Sequence, residues 1–133
     1  CRGVLRGMHV QAEKWQGKLV QVLHGRIFDV AVDIRPNSLT FGRWFGTELS
    51  ADNQHQLFIP VGFAHGFVSL DETNVVMYKC TDKYNPYAEH TLAWDDPTVN
   101  IKWPEIERPI LSEKDQSGKS LETIASVTEN CFC

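Results

Sequence analysis

The chain has no excess of basic charge: 13 Lys and Arg stand against 17 Asp and Glu, a net charge of −4 over 133 residues. That balance excludes the broad positive field by which nucleic-acid and acidic-membrane binders attract their partners. No apolar run approaches the roughly 18 residues of a membrane span, and no signal-peptide pattern opens the chain. Cysteine is scarce and unevenly placed. Cys1, Cys80, Cys131 and Cys133 sit at the ends and in one central segment, which is not a disulfide framework and reads as reduced thiols in a cytoplasmic protein. Cys131-Phe-Cys133, two residues apart on a tail, reads as inert. Repeats, linkers and low-complexity stretches are missing, and helical periodicity surfaces only weakly, around Ser120 to Ser126. With 42% hydrophobic and 23% charged residues the chain is too apolar for disorder, and its length suits one domain over 1–133.

What is present is strand. Lys18–Leu23 and Arg26–Asp33 are β-branched runs joined across His24-Gly25, which predicts a hairpin. Thr47–Ser50, Gln56–Ile59, Gly66–Leu70 and Asn74–Cys80 follow, punctuated by Arg35–Ser38, Ser50–Asn53, Pro60–Gly62 and Asp71–Thr73. Many short strands spaced by turns predict an all-β sandwich or jelly roll. Alternation puts Phe28, Val30 and Val32 on one face and Asp29, Ala31 and Asp33 on the other. The acidic face suits either a solvated surface, the default, or a polar-lined barrel interior. Lys18 shares its face with Val20 and Val22, an unusual place for an ammonium on an exterior strand.

Two segments, Gly3–Gln11 and Pro60–His65, are similar in spacing to the paired half-motifs of cupins, small jelly-roll barrels that gather side chains at one central site. A metal-binding cupin places His-x-His and then Glu in the first half-motif and another His in the second. Here Gln11 stands at the second His and Lys18 at the Glu. An ammonium offers no lone pair and repels a divalent cation, and His9, Gln11 and His65 alone make a poor transition-metal set. No metal is therefore expected. A neutral imidazole can take a proton near pH 7, a lysine can stabilise an oxyanion forming on a carbonyl, and a hydroxyl such as that of Tyr78 on the opposite wall can return a proton. Together these define epimerisation beside a carbonyl. The plain alternative is structural histidines and a surface lysine.

Eight ordered segments between Gly3 and Asp115 carry a closer likeness. They include Gly3–Gln11, Gln16–Val20, Phe41–Gly46, Ile59–Phe67, Tyr78–Thr81, Trp94–Pro97 and Leu111–Asp115. The sequence resembles the dTDP-4-dehydrorhamnose 3,5-epimerase family. The resemblance implies a cupin-type jelly-roll barrel with a short C-terminal helical segment, acting without a cofactor as a cytoplasmic homodimer. It implies conversion of dTDP-4-dehydro-6-deoxy-glucose to dTDP-4-dehydro-L-rhamnose, towards dTDP-rhamnose, with a dTDP-sugar as partner and neither nucleic acid nor membrane. By the same likeness His9 is the proton acceptor, Asp115 the carboxylate that orients it, Lys18 the cation near the keto oxygen and Tyr78 the proton donor. Arg6, Lys18, His65, Glu89 and Lys114 contact the nucleotide sugar, Tyr84 stacks on thymine, and Asp29 is placed to pair with His65. Without the likeness, Tyr84 in Tyr84-Asn-Pro-Tyr87 reads as a turn aromatic. His24, His55 and His90 read as loop or surface residues, and Trp15, Trp44, Trp94 and Trp103 as packing.

The family's chains carry a further N-terminal segment, commonly an aromatic where Val10 stands and an acid where Val61 stands. The expectation is a single epimerase domain without that segment. Its rivals are a single-carbon epimerase of a related dTDP-4-keto sugar, a non-catalytic nucleotide-sugar-binding cupin, and a metal-dependent cupin, which Lys18 disfavours.

Overall fold

A computed structural model describes residues 1–104, 106 and 108–129. Its elements, in order, are β1 (Leu5–Gln11), β2 (Lys18–His24), β3 (Arg26–Asp33), β4 (Trp44–Ser50), β5 (Gln56–Ile59), β6 (Phe63–Ser69), β7 (Val75–Cys80), β8 (Glu89–Thr91), α1 (Glu113–Gln116) and α2 (Leu121–Thr128). The strands form two antiparallel sheets, one ordered β4-β3-β6-β1-β8 and the other β5-β2-β7, in a cupin-type jelly roll. Among the described residues no helix is long and apolar enough to cross a membrane. Cys131 and Cys133, read above as inert, lie outside the described residues.

Two apolar cores follow from strand alternation. One lies between the sheets and joins Val20, Val22, Ile27, Ala31, Leu49 and Ile59. The other lies on the outer face of the five-stranded sheet, where Met8, Val10, Val30, Val32 and Ala64 meet Leu92, Val99, Leu121 and Ile124. The segment after β8 thus covers the sheet's back. Asp96 anchors it, accepting hydrogen bonds from the Val99 amide and from the Leu121 amide that opens α2. Trp15, Trp44 and Trp103 pack on this outer core, and Trp94 lends its carbonyl to the Trp103 indole.

The expected hairpin across His24-Gly25 is not formed. β2 lies between β5 and β7, β3 lies between β4 and β6, and the tight turn carries the chain from one sheet to the other. The turn chemistry is as expected, since Gly25 has φ +77° and a Cβ there would collide with Thr73 and Asn74. Partner choice, which local sequence does not encode, decides the rest. The surface default for Asp29, Ala31 and Asp33 is overturned in the same way. All three are buried, because their face looks into the barrel while Phe28, Val30 and Val32 look into the outer core.

Candidate active site

Strict alternation would put Arg6 and His9, three residues apart, on opposite faces of β1. A register shift against β6 between these two residues turns both towards one pocket. The irregularity is possible because the backbones nearly touch: a Cβ on Gly7 would stand 2.8 Å from the His65 carbonyl, and one on Gly66 would stand 2.7 Å from the Arg6 carbonyl. The register then sets Arg6 opposite Phe67 and His9 opposite His65. On the other sheet Lys18 faces Cys80 and Val20 faces Tyr78, so ammonium, thiol and phenol share the inner face with the core valines.

The result is a pocket of about 360 Å³ between the sheets. Of the residues expected from sequence, Arg6, His9, Lys18, His65, Tyr78, Tyr84, Glu89 and Lys114 line it, and Asp115 stands behind His9. The wall also contains Gln16, Phe67 and Cys80, to which sequence reasoning gave no part. Cys80 could have been found, since alternation from Tyr78 puts it on the same face.

Asp115 is presented by a local device. Ser112 caps the short α1, its hydroxyl accepting from the Asp115 amide at 3.2 Å and donating to Asp115 Oδ2 at 2.8 Å. That leaves Oδ1 for His9, whose Nε2 lies 2.6 Å away. A carboxylate only accepts, so the hydrogen sits on Nε2 and Nδ1 keeps the lone pair that can take a proton. Burial pushes the His9 pKa below its ordinary value, outweighing the opposite pull of Asp115 and Glu89. The imidazole is consequently neutral and basic near pH 7. Burial likewise lowers the pKa of Lys18, against the pull of Cys80, Glu89 and Asp29.

The second histidine is also paired. His65 Nε2 lies 2.5 Å from Asp29 Oδ1 with both side chains buried. Glu89 accepts from Lys114 Nζ at 2.6 Å and from the Tyr84 hydroxyl at 3.0 Å. Burial raises its pKa, but those two donors and the neighbouring His9 outweigh burial and hold it below the ordinary carboxylate value. The bond to Glu89 raises the Tyr84 pKa in turn. The Tyr84 ring is 62% exposed at the mouth.

Gln11 does not act as a ligand substitute. Its amide donates to the Glu13, Lys14 and Lys83 carbonyls and its oxygen accepts from the Asn85 amide, tying two loops to the end of β1. Among the described residues no three His, Cys, Asp or Glu side chains cluster as a metal set. His24 and His55 are exposed and His90 is half-buried, all three away from the pocket.

The sequence model of the family described as dTDP-4-dehydrorhamnose 3,5-epimerase matches residues 1–123. A relative of that name from Neisseria gonorrhoeae is 56% identical over 119 residues, covering 90% of this chain and 36% of the relative's. One from Methanothermobacter thermautotrophicus is 53% identical over 122 residues, covering 90% and 66%. The chain thus spans less than two thirds of the length of either. The crystal structure of a dTDP-6-deoxy-D-glucose-3,5-epimerase from Legionella pneumophila, in complex with dTDP-4-keto-L-rhamnose, superposes with a TM-score of 0.93 at 50% identity, covering 96% of this chain and 69% of that one. Pocket, fold and sequence lead to the same place: the chain belongs to the dTDP-4-dehydrorhamnose 3,5-epimerase family.

Proposed function

We propose that this chain epimerises dTDP-4-dehydro-6-deoxy-glucose at C3 and C5, giving dTDP-4-dehydro-L-rhamnose for dTDP-rhamnose synthesis. The observation that carries the reading is that His9 on the five-stranded sheet, paired with Asp115 of α1, faces a lysine and a tyrosine on the three-stranded sheet across one pocket. Inversion needs a base on one face of the sugar ring and a proton source on the other.

In this reading His9 Nδ1 removes the hydrogen beside the 4-keto group, and Asp115 supports the imidazolium that results. Lys18 stabilises the enolate oxygen, and the Tyr78 hydroxyl delivers a proton to the opposite face. Arg6, His65, Glu89 and Lys114 bind the nucleotide sugar, and the exposed Tyr84 ring stacks on thymine. Every proton needed comes from a side chain or from solvent, so the scheme uses no cofactor. The enzyme works as a cytoplasmic homodimer.

The test is NMR of the 4-keto sugar incubated with the protein in deuterated water. Label entering at both C3 and C5 with inversion supports the assignment. Label at one carbon alone replaces it with a single-carbon epimerase, and label at neither leaves a nucleotide-sugar-binding domain.

A further inference from the structure

Among the described residues, one buried side-chain polar atom has no hydrogen-bond partner: Asp29 Oδ2. The residue is fully buried, and its other oxygen is held by His65 at 2.5 Å. Leaving half a carboxylate unsatisfied in a barrel interior is costly unless a positive charge faces it. Asp29 alternates on β3 with Ile27 and Ala31, which point into the core between the sheets, so its carboxylate faces the three-stranded sheet. There Lys18 points inward from β2, and among the described residues no hydrogen bond or ion pair holds its ammonium.

The other carboxylates near the ammonium already have donors of their own. Glu89 accepts from Lys114 and Tyr84, and Asp115 from His9 and Ser112. Cys80 and Tyr78 face Lys18 from β7 as weak acids. Arg6, Lys114 and the two histidines offer no negative charge. Glu89 keeps Oε1 without a hydrogen bond but is already paired with a cation, whereas Asp29 Oδ2 is the buried anionic oxygen with no partner among the described residues, and its charge joins those of Cys80 and Glu89 in favouring the protonated amine.

Resting on the epimerase reading, we propose that Asp29 is a positioning residue for two groups at once: Oδ1 fixes the His65 ring, and Oδ2 is a buried counter-charge that, with Glu89, helps keep Lys18 protonated and draws it to the inner wall beside the sugar. Burial alone would favour the neutral amine, which cannot stabilise an enolate by charge. Asp29 opposes that loss from the sheet facing Lys18, leaving the pocket side of the ammonium open for substrate oxygen.

The test replaces the charge and keeps the shape. Asp29→Asn retains an oxygen that can accept from His65 Nε2 but offers no anion. Titration of the Lys18 Cε signal by ¹³C NMR, assigned by its absence in Lys18→Arg, should show the midpoint moved down by at least about half a pH unit. The alkaline limb of kcat should move down with it, and Asp29→Glu should restore both. A purely structural role would lower kcat equally at every pH and leave the Lys18 titration unmoved, and that outcome overturns the proposal. If Asp29→Asn does not fold, Lys18→Met decides: the Asp29 carboxyl signal should then titrate at higher pH, and an unchanged midpoint overturns the coupling. The NMR shift found in a protein without epimerase activity would uphold the coupling while overturning the reaction assigned to it.

Discussion

His9 and His65 are Cα partners across β1 and β6, and each ring is held through Nε2 by its own buried aspartate, Asp115 for one and Asp29 for the other. The two pairs differ in setting. His9 keeps 20% of its side chain exposed to the pocket, whereas His65 keeps 7%. Solvent-facing room for proton transfer lies on the His9 side, and the His65 pair is the more deeply buried wall.

The first prediction follows from that difference. Asp115→Asn keeps the size of the side chain but can present an amide to Nε2, favouring the wrong tautomer and withdrawing support for the imidazolium. Turnover should fall by roughly 10²–10⁴-fold with the fold intact. Because Asp115 raises the His9 pKa against burial, the acid limb of the residual activity should also move to lower pH. Near-normal exchange at C5 in deuterated water would contradict the dyad assignment.

Much of this site could be read from sequence, for a physical reason. His9 and Lys18 stand out by half-motif spacing and strand alternation and Tyr78 by its hydroxyl, whereas Asp115, far along the chain, is reached only through the family resemblance. What could not be read was pairing. The His24-Gly25 turn is equally compatible with a hairpin and with a crossing between sheets, and nothing local states that β2 will choose β5 and β7. The acidic face of β3 was misjudged for the same reason: Asp29 and Asp33 look like surface until His65, Arg35, Ser38 and Thr40 arrive from elsewhere in the chain or from the following loop.

A second prediction concerns metal. Gln11, at the position of a cupin ligand, has its amide nitrogen committed to three carbonyls, and Lys18 brings a positive charge to the same barrel. Exhaustive chelation should leave exchange at C3 and C5 unchanged. Elemental analysis finding stoichiometric zinc, iron or manganese that leaves together with activity would refute this.

Stability should respond to acid through Asp33. Burial disfavours its charged form, but hydrogen bonds from Arg35, Ser38 and Thr40 outweigh burial and hold its pKa well below the ordinary carboxylate range. A depressed carboxyl contributes stability that is present above its unfolded pKa, about 4, and lost as pH falls below that. Asp33→Asn should therefore cost about 2–3 kcal/mol at pH 7, with the difference from wild type shrinking between about pH 4 and pH 2. Urea melts at pH 7 and pH 3 measure it. A constant difference would mean that shape, not charge, is what the loop requires.

The last prediction separates the two faces of the reaction. Tyr78 points inward from β7 opposite Val20, in the sheet facing the one that holds His9, and its ring is 55% exposed. Tyr78→Phe removes one hydroxyl that makes no hydrogen bond among the described residues, so stability should change by less than about 0.5 kcal/mol. With His9 and Lys18 untouched, the enolate still forms and is quenched from the side it left. The variant should exchange substrate hydrogen with solvent while losing inversion, most clearly at C5. A defect in binding would instead lower exchange and inversion together. Following label uptake and configuration in one sample distinguishes the two, and unaltered inversion at C5 would assign the proton return to another pocket group or to water.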